Sequence, residues 1–463
     1  LYGINHGNNG GDVTVYVWRN LIVENGLTGS TLDKWQRHEV DSSRPWRSLF
    51  ITSADIDKDG FNDIVTGGWW YENPGSASGA WARHTIGSPL NNMAAVYDFD
   101  SDGDLDVLGT QGQGSESNSS FSWAQNDGSG SFTVLSNVSN GDGDFLQGVA
   151  VDSFSSGTRS VALSWHIAGK GIQLLDVPSD PANTTWQWQR ISNISQDEDL
   201  SSGDIDGDGD MDLLLGTRWL QNNNGDWSEF TVNGVSGNPD RNQLADINGD
   251  GLLDAVVGFE AISTSGKLAW YEQPSSSTGT WAERVIANVI GPMSLDVADM
   301  DHDGDPDVVV GEHNLANPSS ARVYVFENTG GGAGWNQHTV YTGDEHHDGT
   351  QLVDIDNDGD LDIISIGWSH GRVVLYENRA IISGTPTVAT PLITPNGGVY
   401  SGAVQVTMST STNDATIRYT TDGSNPTMSA TLYTEPFALS QTTTIKARGF
   451  KSGYTDSTIR TAT

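Results

Sequence analysis

Six stretches of the chain place carboxylates at one spacing, D-x-D-x-D-G-x-x-D with a single Asn substitution. They are Asp55, Asp57, Asp59 and Asp63; Asp98, Asp100, Asp102 and Asp106; Asp204, Asp206, Asp208 and Asp212; Asp246, Asn248, Asp250 and Asp254; Asp299, Asp301, Asp303 and Asp307; and Asp354, Asp356, Asp358 and Asp362. Glycine at position 6 lets such a loop fold back sharply, so that the side chains at positions 1, 3, 5 and 9 converge on one point. Hard oxygen ligands in that number suit Ca2+. An EF-hand would need a bidentate Glu at position 12 and helices on both sides. Position 12 is Thr66, Gly109, Leu215, Val257, Val310 or Ser365, and the flanks read as strands. The expectation is therefore about six structural calcium sites, one per motif, each clamping a turn and relieving carboxylate repulsion, with folding linked to the ion.

The elements that carry these loops repeat with them. After Asp299 come an apolar strand "DVVVG", a variable loop, "RVYVFEN", a turn and "WNQHTV"; the same order follows Asp55 and Asp246. With the strand before each loop this makes four short strands per unit of about 50 residues, the size of a propeller blade. Six intact motifs and a degenerate unit near Asp152 predict an all-β, seven-bladed β-propeller over residues 1–378. The segment "WQRHEV" from Trp35 is placed to supply the outer strand that the last unit lacks. An eight-bladed ring is the alternative, because "LYGINHGNNGGDVTVYVWRN" resembles two strands of a further unit. Residues 379–390 read as a Thr- and Pro-containing linker, and residues 391–463 as a small Ig-like β-sandwich with the turn "TDGSNPT".

Strand order also sorts the loops between two faces. The Asp loops join strands one and two, so loops from strand two to strand three, and from blade to blade, share the opposite face. His6, His166, His313 and His370 follow second strands, and His346 and His347 lie in a blade-to-blade loop. That face also collects Arg44, Trp46, Arg47, Trp165, Lys170, Arg218, Trp219, Arg241, Glu260, Glu312 and Trp368. His38, His84 and His338 fall in outer strands, and His302 in an Asp loop. Aromatic rings offer flat surfaces for sugars, while Arg and His recognise carboxylate or sulfate. His166, His313, His346 and His370 are the leading catalytic candidates, with Arg218 and Arg47 as anion partners.

The repeats resemble the FG-GAP/VCBS class of calcium-stapled β-propellers. Residues 391–463 resemble the chitobiase/β-hexosaminidase C-terminal module through "YTTDGSNPT", "LYTEPF" and "TIKARGF". The first resemblance implies fold and metal; the second implies an accessory domain of secreted carbohydrate-active enzymes. Neither fixes an activity.

Two functions of different class stay open. One is a polysaccharide lyase, favoured over a hydrolase, that cleaves an acidic glycan by β-elimination with a cation on the uronate, a base for the C5 proton and an acid for the leaving oxygen. The other is a non-catalytic lectin-like or adhesion module. The loops after second strands differ between units, which favours one composite site. A formal charge of −38 disfavours nucleic acid and anionic membranes as partners. No run of about 18 apolar residues is present to span a membrane. The absence of cysteine rules out disulfides and thiolate metal sites. No G-x-S-x-G elbow and no HExxH spacing occurs. The expectation is a monomer, secreted or at the cell surface, where calcium is abundant.

Overall fold

The computed structural model describes residues 2–3, 16–17, 32–155, 158–167, 169–196, 198–234, 237–347, 349–379, 388, 390–394, 400, 402–410, 412, 415–451, 454 and 456–462. The chain divides into two units, one of residues 1–25 and 29–380, the other of residues 26–28 and 381–463.

The described residues of the first unit form seven four-stranded antiparallel sheets. Sheet I runs outward from Ile51–Ala54 through Asp63–Thr66 and Trp69–Glu72 to Ala82–Thr85. Sheets II to VI begin with Asn92–Tyr97, Leu146–Ser155, Ser201–Gly203, Pro239–Ala245 and Pro292–Ala298. Sheet VII takes Thr350–Val353, Asp362–Ile366 and Val373–Asn378 from one end of the unit and its outer strand, Trp35–Asp41, from the other, with Trp35 opposite Asn378 and His38 opposite Leu375. Innermost strands touch in the order I to VII, and that of VII returns to that of I. Together they enclose an axial cavity of about 140 Å3 lined by residues of all seven, among them Gln147, Ser201, Arg241 and Thr350. This is a β-propeller.

Burial explains the sequence pattern. Inner and middle strands such as Asp63–Thr66 and Asp254–Phe259 are buried along their whole length, because both faces of each sheet pack against neighbouring sheets. They therefore read as apolar runs. Outer strands such as Gln187–Ser192 alternate in exposure and in polarity. The core lies between sheets: Val65 and Trp70 of sheet I pack with Val96, Val107 and Ala124 of sheet II. Trp70 also lies over Gly130 in the outer turn of sheet II, where a Cβ would stand 2.3 Å from the ring; Trp270 lies over Gly332 in the same way. The doubled tryptophans of "GGWWYEN" are thus structural, with Trp69 and Trp70 both buried.

Tyr2–Gly3 and Tyr16–Val17 pair as a two-stranded ribbon. His6, which the sequence assigns to the loop face, lies outside the described residues. In the second unit Leu392–Thr394, Val404–Ser409 and Phe437–Leu439 form one sheet. Thr431–Leu432, Thr416–Thr420, Ile445–Phe450 and Arg460–Ala462 form another. Ile393, Val406, Ile417 and Ala447 share one apolar cluster. In the turn of this unit, the Asp422 side chain accepts the Ser424 N–H at 2.9 Å and Gly423 takes φ +77°.

Candidate functional site

The six Asp loops join first to second strands and have one geometry. The position-6 glycines, Gly60, Gly103, Gly209, Gly251, Gly304 and Gly359, all have φ between 89° and 101°, which favours glycine. Each donates its N–H to the position-1 carboxylate, as Gly103 does to Asp98 at 3.0 Å. The position-9 aspartate opens the second strand and is fully buried. Asp106 accepts the N–H of Phe99 at 3.0 Å and of Asn126 at 2.9 Å, and Asp63, Asp212, Asp254, Asp307 and Asp362 accept the corresponding pairs.

In five loops, carboxylate oxygens from three aspartates lie within 4.8 Å of one another. Four of these sets use positions 1, 3 and 9: Asp55, Asp57 and Asp63; Asp98, Asp100 and Asp106; Asp204, Asp206 and Asp212; and Asp354, Asp356 and Asp362. The fifth is Asp299, Asp301 and Asp303. Position 5 also bonds within its own loop: Asp59, Asp102, Asp208, Asp250, Asp303 and Asp358 each accept the N–H two residues on. In the sheet V loop, Asn248 donates to Asp250 at 3.1 Å.

The electrostatics fit a cation. Burial raises the carboxyls of Asp63, Asp106, Asp254 and Asp362 to about 8 and that of Asp212 to about 7, with neighbouring carboxylates adding to it against the two N–H bonds. Burial also pushes Asp301 to about 7 and Asp354 to about 6, helped by like charges beside them. Asp356 Oδ1 and Asp360 Oδ1 are buried without a hydrogen-bond partner. Converging hard oxygens, orphaned acceptors and carboxylates reluctant to ionise are the donor set a Ca2+ ion would complete. Such an ion would supply charge neutralisation and a fixed turn.

The opposite face holds two groups of the predicted residues. In the first, Glu345 is the hub. Its carboxylate pairs with His313 Nδ1 and accepts the backbone N–H of His347 at 3.0 Å and of Ser369 at 2.9 Å, while its carbonyl pairs with His370 Nε2 at 2.9 Å. Burial works against this anion, yet the His313 bond and the Ser369 N–H hold it at about 2. The His313 and His347 rings lie 4.3 Å apart, Trp368 meets His347 edge to face, and the Arg47 guanidinium sits 3.2 Å from the Trp368 ring centroid. The group is packed: His313, Glu345, His346 and His347 are all buried. His346, bonded to Ser365 Oγ at 2.9 Å, is pushed down to about 4 by burial, so it stays neutral at ordinary pH and has no access to a ligand. Its site ties the loop to the second strand of sheet VII.

The second group is open. His166 follows the second strand of sheet III, Thr158–Trp165, with its side chain 49% exposed. Its Nδ1 meets Asp144 Oδ2 at 2.9 Å, its ring stacks on Phe145 with centroids 4.4 Å apart, and the other Asp144 oxygen accepts the Ile167 N–H at 3.1 Å. Two residues before Asp144, Asp142 takes Lys170 Nζ at 2.8 Å and Arg190 Nη2 at 2.6 Å. The Gln173 amide clamps the same loop, donating to the Asp142 carbonyl at 2.9 Å and accepting its N–H at 3.1 Å. Gly141 and Gly143 run under Trp165, where a Cβ would lie 2.2 Å and 2.0 Å from the indole. Arg218 joins neither group; it pairs with Glu229 on the outer strand of its own sheet.

Sequence reasoning therefore placed His313, His346, His370 and Arg47 in one neighbourhood, but as an exposed surface rather than a packed network. It gave "NGDGDF" no role and missed Asp142, Asp144 and Glu345. Their signal was position: acidic residues in the links entering sheets III and VII, on the face that gathers histidines. It also missed the polar residue closing the third strand of sheets I, II, IV, V and VI. Asn126 Nδ2 donates across to the Ile56 carbonyl of the preceding sheet at 2.8 Å, as Asn73, Asn222, Gln273 and Asn328 do to theirs.

The FG-GAP-like repeat family matches residues 246–310, and the chitobiase/beta-hexosaminidase C-terminal domain family matches residues 395–461. No curated protein matches the chain. Among solved structures, BBS1N in complex with ARL6DN is 10% identical over 76% of this chain and 99% of its own, with a TM-score of 0.47. AofleA from Arthrobotrys oligospora is 10% identical over 68% of this chain and 91% of its own, with a TM-score of 0.35. The chain carries an FG-GAP-like repeat in its β-propeller unit and a chitobiase/β-hexosaminidase C-terminal domain after it.

Proposed function

We propose that the protein is an extracellular, calcium-stabilised, seven-bladed β-propeller followed by a β-sandwich, and that it acts as a lyase on an acidic polysaccharide at the face opposite the Asp loops. The observation that carries this reading is the exposed His166, whose Nδ1 is anchored on buried Asp144 while Lys170 and Arg190 are held on the same loop by Asp142. Anchoring Nδ1 fixes the tautomer and leaves Nε2 as the base. His166 takes the C5 proton of a uronate, the released electron pair forms the C4–C5 double bond, and the C4–O bond breaks. The departing oxygen takes its proton from water. Lys170 and Arg190 oppose the uronate carboxylate, whose charge grows as the proton leaves.

The Glu345 network of His313, His347, His370, Trp368 and Arg47 gives the loops of sheets VI, VII and I a fixed shape on the same face. The calcium ions serve stability. The chitobiase-type domain supports carbohydrate as the substrate class, since it is named for carbohydrate-active enzymes.

A panel of acidic polysaccharides incubated with the protein in calcium, followed by ultraviolet absorbance of unsaturated uronate ends and by pull-down, tests the reading. Rising absorbance with at least one member is expected. Pull-down without absorbance or new reducing ends makes the protein a glycan-recognition module, and neither signal on any member sinks the glycan reading.

A further inference from the structure

One link holds the groups around His166 in order. Residues 136–145 run from the outer strand of sheet II to the inner strand of sheet III. Every second residue in the middle of that link, Asn140, Asp142 and Asp144, takes a different partner. Asp144 pairs with His166 Nδ1 at 2.9 Å, and Asp142 with Lys170 Nζ at 2.8 Å and Arg190 Nη2 at 2.6 Å. The Asn140 carbonyl accepts Trp188 Nε1 at 2.7 Å. Four residue steps span at most about 14 Å, so the anchors of the imidazole, the two cations and the indole fall within the length of a few sugar residues. Trp188 and Arg190 lie on one side of the outer strand Gln187–Ser192, about 7 Å apart along it.

Trp188 is not a core ring. The neighbouring Trp186 is fully buried, whereas Trp188 is half-buried. The Arg190 guanidinium stands 5.9 Å from its ring centroid, outside a stacking contact of about 4 Å, while Arg47 lies 3.2 Å from the Trp368 centroid and covers that ring. Nor does the repeat call for an aromatic here. Trp188 pairs with Leu175 of the third strand, and the residues at the same place in the other outer strands are Arg83, Val134, Glu229, Glu283, Gln337 and Arg37. Beside the indole one carboxylate, Asp142, faces two cations, a local positive excess in a chain of formal charge −38.

We propose that Trp188 is the platform on which the sugar next to the cleaved uronate stacks, so that the protein takes an extended acidic polymer along the flank of sheet III. The inference rests on the lyase reading above and deepens it. An indole pinned through Nε1 offers its face to the apolar side of a sugar ring, and Lys170 and Arg190 beside it take the uronate carboxylate. Trp188 touches no reacting atom, so its contribution is equal in ground state and transition state and appears in KM rather than kcat.

The test uses the acidic panel above and oligosaccharides prepared from it, with Trp188→Ala, Trp188→Phe and the control Gln189→Ala, whose side chain lies on the other side of the strand. Trp188→Ala is expected to raise KM for the polymer at least fivefold with kcat changed less than twofold, and to lose the gain in affinity from disaccharide to tetrasaccharide. Trp188→Phe keeps a flat ring and should recover most of both, and Gln189→Ala should match wild type. An unchanged polymer KM in Trp188→Ala overturns the platform and leaves the lyase reading standing. A raised KM that Trp188→Phe does not recover, or a kcat that falls in step with melting temperature, assigns Trp188 to packing and overturns it too. If the wild type binds without forming unsaturated ends, the lyase reading fails by itself; a fivefold weaker Kd in Trp188→Ala then supports the platform and an equal Kd overturns it. A wild type that neither binds nor cleaves overturns both.

Discussion

Asp144 has almost no contact with water, yet in the proposed function it decides what His166 can offer a substrate. It accepts at Nδ1 and at the Ile167 N–H, so the imidazole cannot turn without breaking a charge-assisted bond. Asp144→Asn keeps the shape and presents an amide to the ring, which loses the preference for the tautomer with a free Nε2. The expected outcome is a fall in kcat of about 100-fold or more with KM changed less than threefold, the pattern of a lost transition-state interaction. Equal loss of melting temperature and kcat would assign Asp144 to structure instead. His346 is the contrast. A neutral, wholly enclosed imidazole bonded to Ser365 predicts that His346→Asn lowers the melting temperature and leaves kcat of the folded fraction unchanged, checked by calorimetry and rate together.

At the scale of the element, the Asp motif is two devices in one sequence. Position 9 stitches a loop to two strands through backbone N–H groups, and positions 1 and 3 converge beside it. Asp106→Ala removes two bonds to a buried carboxylate and leaves both donors bare, a loss of about 3 kcal/mol or more by urea unfolding in calcium. Asp208→Ala, at an exposed position 5 that bonds its own loop, is expected to cost under about 1 kcal/mol, and equal costs for the two would contradict this division. The strands, their order and the glycine at position 6 were legible in the sequence, because burial on both faces and a positive φ leave direct marks on residue type. The side-chain bonds of position 9 and of Asn126 were not, since an Asp or Asn looks the same whether its partner is a metal, a backbone amide or solvent. The loop face was legible only as a gathering of histidines. Whether a histidine there is open like His166 or packed like His313 depends on tertiary contacts of Trp368, Glu345 and Phe145, which have no period to read.

For the whole molecule, a formal charge of −38 meets carboxylates that burial makes reluctant to ionise. Folded-state values near 8 against an ordinary value near 4 mean that the metal-free native chain binds more protons than the unfolded one. Without calcium, the contribution of these carboxyls to stability is therefore greatest in acid and is lost as pH rises from about 4 to about 8. Calcium binds the ionised form, so the gain in melting temperature on adding it should be small at pH 5 and grow towards pH 8. A gain independent of pH, or no change with EDTA at any pH, would remove the ion from the account. In the proposed function one face is given to ions and stability and the other to chemistry. The most direct measurement of that claim is the rate of unsaturated uronate formation by wild type and by His166→Ala, in calcium, at matched melting temperature, on a polysaccharide the wild type cleaves. The account predicts a rate at least 100-fold lower for the variant with glycan binding retained. A variant that cleaves at the wild-type rate would place the chemistry elsewhere on the molecule.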